Sequence, residues 1–166
     1  MANKDYVIGQ EIRTWSVNVP ERAAKEVEKT LKSTWINTGK KEKEFRQKIC
    51  EKFKAPYAVA CTSGTSALKA ALAALGVGYG DEVVSTPYTF IATNTSILEM
   101  GAIPKFADIQ YDTLNIDPIS IEKQITDKTK AIMCVHYAGN SADLEEIRQV
   151  GQKYNLPIIE DSAHAM

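Results

Sequence analysis

From residue 57 onward, short apolar runs alternate with segments of helical period. The runs fall at 57–61, 82–86, 105–107, 131–136 and 157–160, and the helical segments at 65–75, 92–100, 120–125 and 143–154. A strand covered on both faces is apolar along its length, and a helix between two strands lets them run parallel. The order therefore predicts an α/β fold with a mostly parallel central sheet and helices on both faces. In such a sheet ligands gather at the carboxyl ends of the strands. The cluster Gly76, Gly78 and Gly80 falls at the amino end of a strand, so it reads as a helix stop and turn on the opposite side from any crevice.

Before residue 57 the pattern is different. Residues 21–33 predict a helix with Ala23, Val27 and Leu31 on one side, and 42–53 a second with Phe45, Ile49 and Phe53 on a stripe. A turn by composition, 35–39, separates them, and the charged run 40–44 reads as a solvated helix opening. Twenty Lys plus Arg against 21 Asp plus Glu give a net charge of −1. That balance offers no electrostatic case for nucleic acid or an acidic membrane. The first 15 residues carry no apolar signal core and no stretch is long enough to cross a bilayer, so a cytoplasmic protein is expected. Cys50, Cys61 and Cys134 are odd in number and widely spaced, and read as reduced core thiols.

The expected strand ends are 62–65, 87–90, 108, 136–139 and 161–164. The small-residue turn Thr62-Ser63-Gly64-Thr65-Ser66 opens a helix, where backbone N–H groups lack partners and the dipole favours an anion. Ser and Thr are equally the ordinary capping residues, so capping and anion binding stand level at this point. The turn lacks the lysine of a P-loop and the glycine spacing of a dinucleotide site. Asp161 ends a strongly apolar strand and reads either as a cap or as an acid facing a ligand. Phe90 reads as core or as a ring that stacks on a flat ligand, and His136 and His164 as satisfied polar residues or proton donors. No ligand spacing joins the two histidines, so no metal is expected. An anion cradle, an aromatic and a carboxylate at adjacent strand ends would suit pyridoxal 5'-phosphate, whose ring nitrogen is commonly matched by an acid.

Seven stretches in order carry a resemblance: Trp35-Ile36-Asn37-Thr38-Gly39, Cys61 through Leu68, Gly80-Asp81-Glu82-Val83-Val84, Pro87 through Thr93, Asn115-Ile116-Asp117-Pro118, Val135-His136-Tyr137-Ala138-Gly139 and Ile159 through Ala165. Over about residues 5–166 the sequence resembles the sugar aminotransferases of the DegT/DnrJ/EryC1/StrS family, within the fold-type I pyridoxal-phosphate enzymes. The resemblance implies that Gly64 and Thr65 hold the cofactor phosphate, that Phe90 stacks on the pyridine ring, and that Asp161 pairs with its nitrogen and is the catalytic residue of this stretch. It implies that His164 lies near the phenolic oxygen.

It further implies transamination of a nucleotide-linked keto sugar with an amino donor, usually glutamate, in a homodimer with shared active sites. The Val-His-Tyr-Ala-Gly form looks most like the branch acting on 4-keto sugars. By the same resemblance, 1–38 is a lead segment with a helix and 39–166 the N-terminal part of the cofactor-binding large domain. The lysine that binds the cofactor in this family follows the Glu-Asp-x-Ala-His stretch and has no counterpart here; Lys69, Lys105, Lys128 and Lys130 read as surface charge. The chain is therefore expected to be incomplete at its C-terminus, without the rest of the large domain and the small domain, and inactive alone. Two alternatives stand beside this reading: a keto-sugar dehydratase or another amination in the same family, and a non-catalytic short protein that binds a ligand or a full-length partner.

Overall fold

The computed structural model describes residues 17–165. The chain divides into two compact units, Met1–Ala58 and Val59–Met166. The division falls after the second helix, which groups with the first, whereas the sequence reading divides at 38/39.

In the first unit, α1 spans Glu21–Lys32 behind Pro20, and α2 spans Lys40–Phe53. Lys41 reaches Glu26 at 2.7 Å and ties the two helices together. Between them Trp35 Nε1 donates to the Thr38 carbonyl at 3.1 Å. A Cβ on Gly39 would lie 2.5 Å from that indole nitrogen, so a larger residue there would push the folded-over ring aside.

The second unit carries the sheet. Its elements in order are α3 (Gly64–Ala74), β1 (Glu82–Ser85), α4 (Ile91–Glu99), β2 (Ile103–Phe106), α5 (Pro118–Gln124), β3 (Thr129–Val135), a 3-10 turn (Tyr137–Gly139), α6 (Leu144–Tyr154) and β4 (Ile158–Asp161). The strands lie in the order β2-β1-β3-β4 and every pairing is parallel. Neighbouring residues on a strand face opposite sides, and the core follows that rule. Val83 and Met133 pack with Leu68, Leu72 and Ile97 of α3 and α4, while Val84 and Ile132 pack with Ile121 and Ile147 of α5 and α6. Helices thus cover both faces, as the alternation of the sequence implies. At Gly151 a Cβ would meet the Leu156 carbonyl at 2.9 Å, so α6 turns into β4 only with a glycine there.

The structure corrects three readings. Residues 57–61 form no strand: no strand among the described residues pairs with them, and without a partner an apolar run cannot be a sheet element. Tyr57 is 86 % and Val59 83 % exposed. β3 and β2 begin at Thr129 and Ile103, two residues before the runs 131–136 and 105–107, so Lys130 and Lys105 lie within strands, although the Lys130 side chain is exposed as a surface charge is expected to be. Of the three free thiols only Cys134 is in the core, Cys50 being half-buried and Cys61 exposed next to the opening of α3.

Burial pushes the Cys134 thiol up to about 12, with the carboxylate of Glu160 adding to the effect. The thiolate is the reactive form, so at neutral pH Cys134 is inert. Alkylation of the native protein at neutral pH followed by peptide mapping should label Cys61 and leave Cys134 unmodified until denaturant is added. Labelling of Cys134 at a rate comparable to Cys61 would contradict its burial.

Candidate cofactor site

α3 is joined to the start of β1 by a turn at 76–81, in which Gly78 N–H donates to Asp81 Oδ2 at 3.0 Å. Its C-terminus therefore lies at the amino edge of the sheet and its N-terminus at the carboxyl edge. At that N-terminus Ser63 is the cap, its Oγ accepting from Ser66 N–H at 3.1 Å, and its carbonyl accepts from Ala67 N–H. The amides of Gly64 and Thr65 donate to no acceptor among the described residues. Space in front of Gly64 is open, with nothing within 4 Å of a Cβ position. Capping and anion binding are thus separate tasks of one turn: Ser63 caps, and the next two amides remain available.

β4 ends at Asp161, which is 8 % exposed. Its Oδ2 accepts from the Thr93 hydroxyl at 2.8 Å and its Oδ1 from Ala163 N–H at 3.2 Å. No Lys, Arg or His forms an ion pair with it among the described residues. The turn after it is not a helix, so the side chain is not a helix cap. Thr93 sits in the first turn of α4 and its N–H donates to the Phe90 carbonyl at 3.1 Å. That turn sets Phe90 beside the acid's partner, and the ring is 71 % exposed, outside the core.

His164 directly follows Ala163, whose amide is bonded to Asp161. Its Nδ1 accepts from Ala138 N–H at 3.3 Å, so the ring carries its proton on Nε2, which is left free to donate. Tyr137 stands edge-on to it with centroids 6.4 Å apart, and its hydroxyl bonds that of Tyr88 at 3.2 Å. The hydrogen bond with Tyr88 pushes the Tyr137 phenol above its ordinary range.

The loop carrying Tyr137 and Ala138 is held from below. Ala138 takes φ 51° and Gly139 φ 84°, both left-handed. Asn115, almost wholly buried, accepts Tyr137 N–H at 2.9 Å and donates to the carbonyls of Asn140 and Ser141 at 3.2 and 3.1 Å. His136 points to the opposite side of the sheet: Nδ1 accepts Ala142 N–H at 3.1 Å and Nε2 faces Glu160 at 3.2 Å. It is a structural residue and stands apart from the crevice.

The structure brings Phe90, Asp161 and His164 into one hydrogen-bonded edge and places the opening of α3, with Gly64 and Thr65, on the same edge. Asp108 follows the carboxyl end of the outer strand β2, and its bonds run to Ser120, Asp117 and its own neighbour Ile109 and to none of these residues. Lys69 is paired with Glu99 at 2.7 Å on the helical surface. Thr93, Thr89 and Asn115 were not singled out by sequence reasoning. A buried Thr in a first helical turn and an Asn before a strand-covering helix leave no local signal, because their partners lie 68 and 22 residues away.

A buried carboxylate without a protein cation fits a cationic ring nitrogen, and two free amides at a helix start fit a phosphate. A four-stranded parallel sheet covered on both faces, with that donor set at its carboxyl edge, has the architecture of the large domain of a fold-type I pyridoxal-phosphate enzyme. The chain belongs to the DegT/DnrJ/EryC1/StrS aminotransferase family, whose family model matches residues 18–166. It is 45 % identical over 141 residues to the spore coat polysaccharide biosynthesis protein SpsC of Bacillus subtilis (strain 168), which covers 85 % of this chain and 36 % of SpsC. The aminotransferase from Psychrobacter cryohalolentis superposes with a TM-score of 0.87 at 42 % identity, over 90 % of this chain and 38 % of its own. Spr1654 from Streptococcus pneumoniae in its PLP form gives 0.84 at 36 % identity, over 89 % of this chain and 42 % of its own. The chain thus spans well under half the length of these relatives.

Replacing Asn115 by Ala strips the 137–141 loop of three hydrogen bonds and leaves Tyr137 N–H unpaired. The expected cost is about 2–4 kcal/mol in denaturant unfolding, with faster hydrogen exchange at the Ala138 amide. Unchanged exchange at Ala138 would show that the loop holds itself.

Proposed function

We propose that this sequence is the cofactor-binding N-terminal part of a pyridoxal-phosphate-dependent aminotransferase acting on a nucleotide-linked keto sugar. The observation that carries the reading is Asp161, a buried carboxylate with neutral donors and, among the described residues, no cation, on the edge where α3 opens with two amides that have no acceptor among those residues. In this reading the Gly64 and Thr65 amides and the Thr65 hydroxyl hold the phosphate, and Phe90 stacks on the pyridine ring. Asp161 keeps the ring nitrogen protonated, and the Nε2–H of His164 donates to the phenolic oxygen. When bound, the cofactor supplies the electron sink that stabilises a carbanion beside it. The role of the protein groups is to maintain the charge distribution that makes the sink effective: a proton on the nitrogen, a donor on the oxygen, an anchored phosphate.

Membership of the family and the similarity to SpsC, a spore coat polysaccharide biosynthesis protein, support a sugar substrate. The nucleotide link, glutamate as amino donor, a homodimer with shared sites and a cytoplasmic location are parts of the proposal. No helix among the described residues is long and apolar enough to cross a membrane. The proposal divides the chain into a lead segment, 1–38, and the opening of the large domain, 39–166. That these 166 residues do not turn over alone is also part of the proposal.

Two measurements test this. Protein expressed from its complete reading frame should take up pyridoxal phosphate with a visible band that borohydride fixes covalently; a band removed by dialysis after borohydride would count against a lysine-linked cofactor. Asp161→Asn in that protein should lower turnover by about a hundredfold or more while the cofactor is still bound. Turnover equal to wild type would remove Asp161 from the role.

A further inference from the structure

Asp161 is fixed by two hydroxyls in series, and the chemistry of the three groups determines which way the protons point. The Thr93 hydroxyl donates to Asp161 Oδ2 at 2.8 Å. A hydroxyl has a single proton, so in its bond with Thr89, 2.9 Å away, Thr93 must accept and Thr89 donate. The order Thr89 to Thr93 to Asp161 follows without further assumption. Thr93 is fully buried, and its own backbone N–H is bonded to the Phe90 carbonyl.

We propose that Thr93 is a positioning residue for the ring-nitrogen end of the cofactor site, with Thr89 as its support. This inference rests on the reading of Asp161 given above. A lysine or arginine in place of the threonine would also orient the carboxylate, but it would cancel the charge that a protonated ring nitrogen needs. A neutral hydroxyl orients Oδ2 and leaves the full negative charge in place. The Ala163 amide does the same for Oδ1, so the carboxylate cannot rotate. Because Phe90 and Thr93 share one helical turn, the relay also fixes the acid relative to the aromatic ring. Ring stacking and nitrogen pairing are thereby set by one rigid unit, α4 docked against β4 through this bond.

The test uses the protein from its complete reading frame and three variants: Thr93→Val, which keeps the shape and loses the donor, Thr93→Ser, which restores it, and Thr89→Val. The dissociation constants of pyridoxal phosphate and pyridoxamine phosphate are measured by equilibrium dialysis, with thermal melting run in parallel. Loss of a hydrogen bond to a charged group predicts binding weakened about ten- to hundredfold in Thr93→Val. Thr93→Ser should return to within about threefold of wild type, and Thr89→Val should weaken binding several-fold, in the same direction. A merely structural role would lower the melting temperature in proportion to the loss and would not be rescued by serine. Wild-type affinity in Thr93→Val, or a serine variant as weak as the valine one, overturns the inference. Should Thr93→Val fail to fold, Thr89→Val decides, and wild-type affinity there overturns it. A wild-type protein that binds neither cofactor form overturns the reading of the site itself, and this inference with it.

Discussion

The structure around the crevice depends on one constraint: a carboxylate at the buried end of β4 must be satisfied without being neutralised. An unpaired charge out of water is expensive, and a salt bridge would consume the charge. Asp161 resolves this with a threonine hydroxyl and a backbone amide, and each donor commits another element. The hydroxyl requires α4 to begin where Thr93 faces β4, which places Phe90 at the mouth of the sheet. The amide requires the chain to turn back directly after the strand, which brings His164 over the 137–139 turn, where Ala138 fixes its tautomer.

The same economy governs the anion end. α3 has no basic residue in its first turn, and no lysine is recorded beside the Gly64 and Thr65 amides among the described residues. An anion held there is held by oriented dipoles and hydroxyls, whose strength depends on geometry more than on net charge. Geometry of that quality has to come from the core. Leu68 and Leu72 of α3 pack with Ile97 of α4 and Ile159 of β4, so the helix that offers the amides is locked to the strand that ends in Asp161. The turn that offers the Gly64 and Thr65 amides and the strand that ends in the acid are thus mounted on a common hydrophobic cluster.

Most of the fold was legible because it is encoded locally. Val83-Val84 and the run Ile132-Met133-Cys134 announce strands covered on both faces, and the period of α6 from Leu144 to Tyr154 announces its helix. What the sequence hid depends on partners. Residues 57–61 have the composition of a strand, yet strandedness is a property of a pair, and no partner stands beside them in the described sheet. Cys61 reads as core for the same reason and is exposed. At the site, Phe90, Asp161 and His164 could be placed on one edge from topology, whereas the sequence places Gly64 there through a strand at 57–61 that does not form, and it reaches the edge because α3 runs back to the amino end of β1. Thr93 and Asn115 could not, since a buried threonine and a buried asparagine look like ordinary polar residues until the groups they bond, far away in the chain, are known.

The left-handed turn at Ala138 shows how these layers connect. A residue with a Cβ held at φ 51° costs about 1–2 kcal/mol relative to the right-handed region, and it persists only where neighbours over-determine it. Asn115 supplies three bonds to that loop and His136 a fourth through Ala142, from elements on the far side of the sheet. The strained turn is what aims the Ala138 amide at His164. The core face formed with α5 and α6 includes neither Asp161 nor Phe90, yet through this loop it sets the orientation of the His164 ring, so both faces of the sheet shape the edge on which Asp161 and His164 lie.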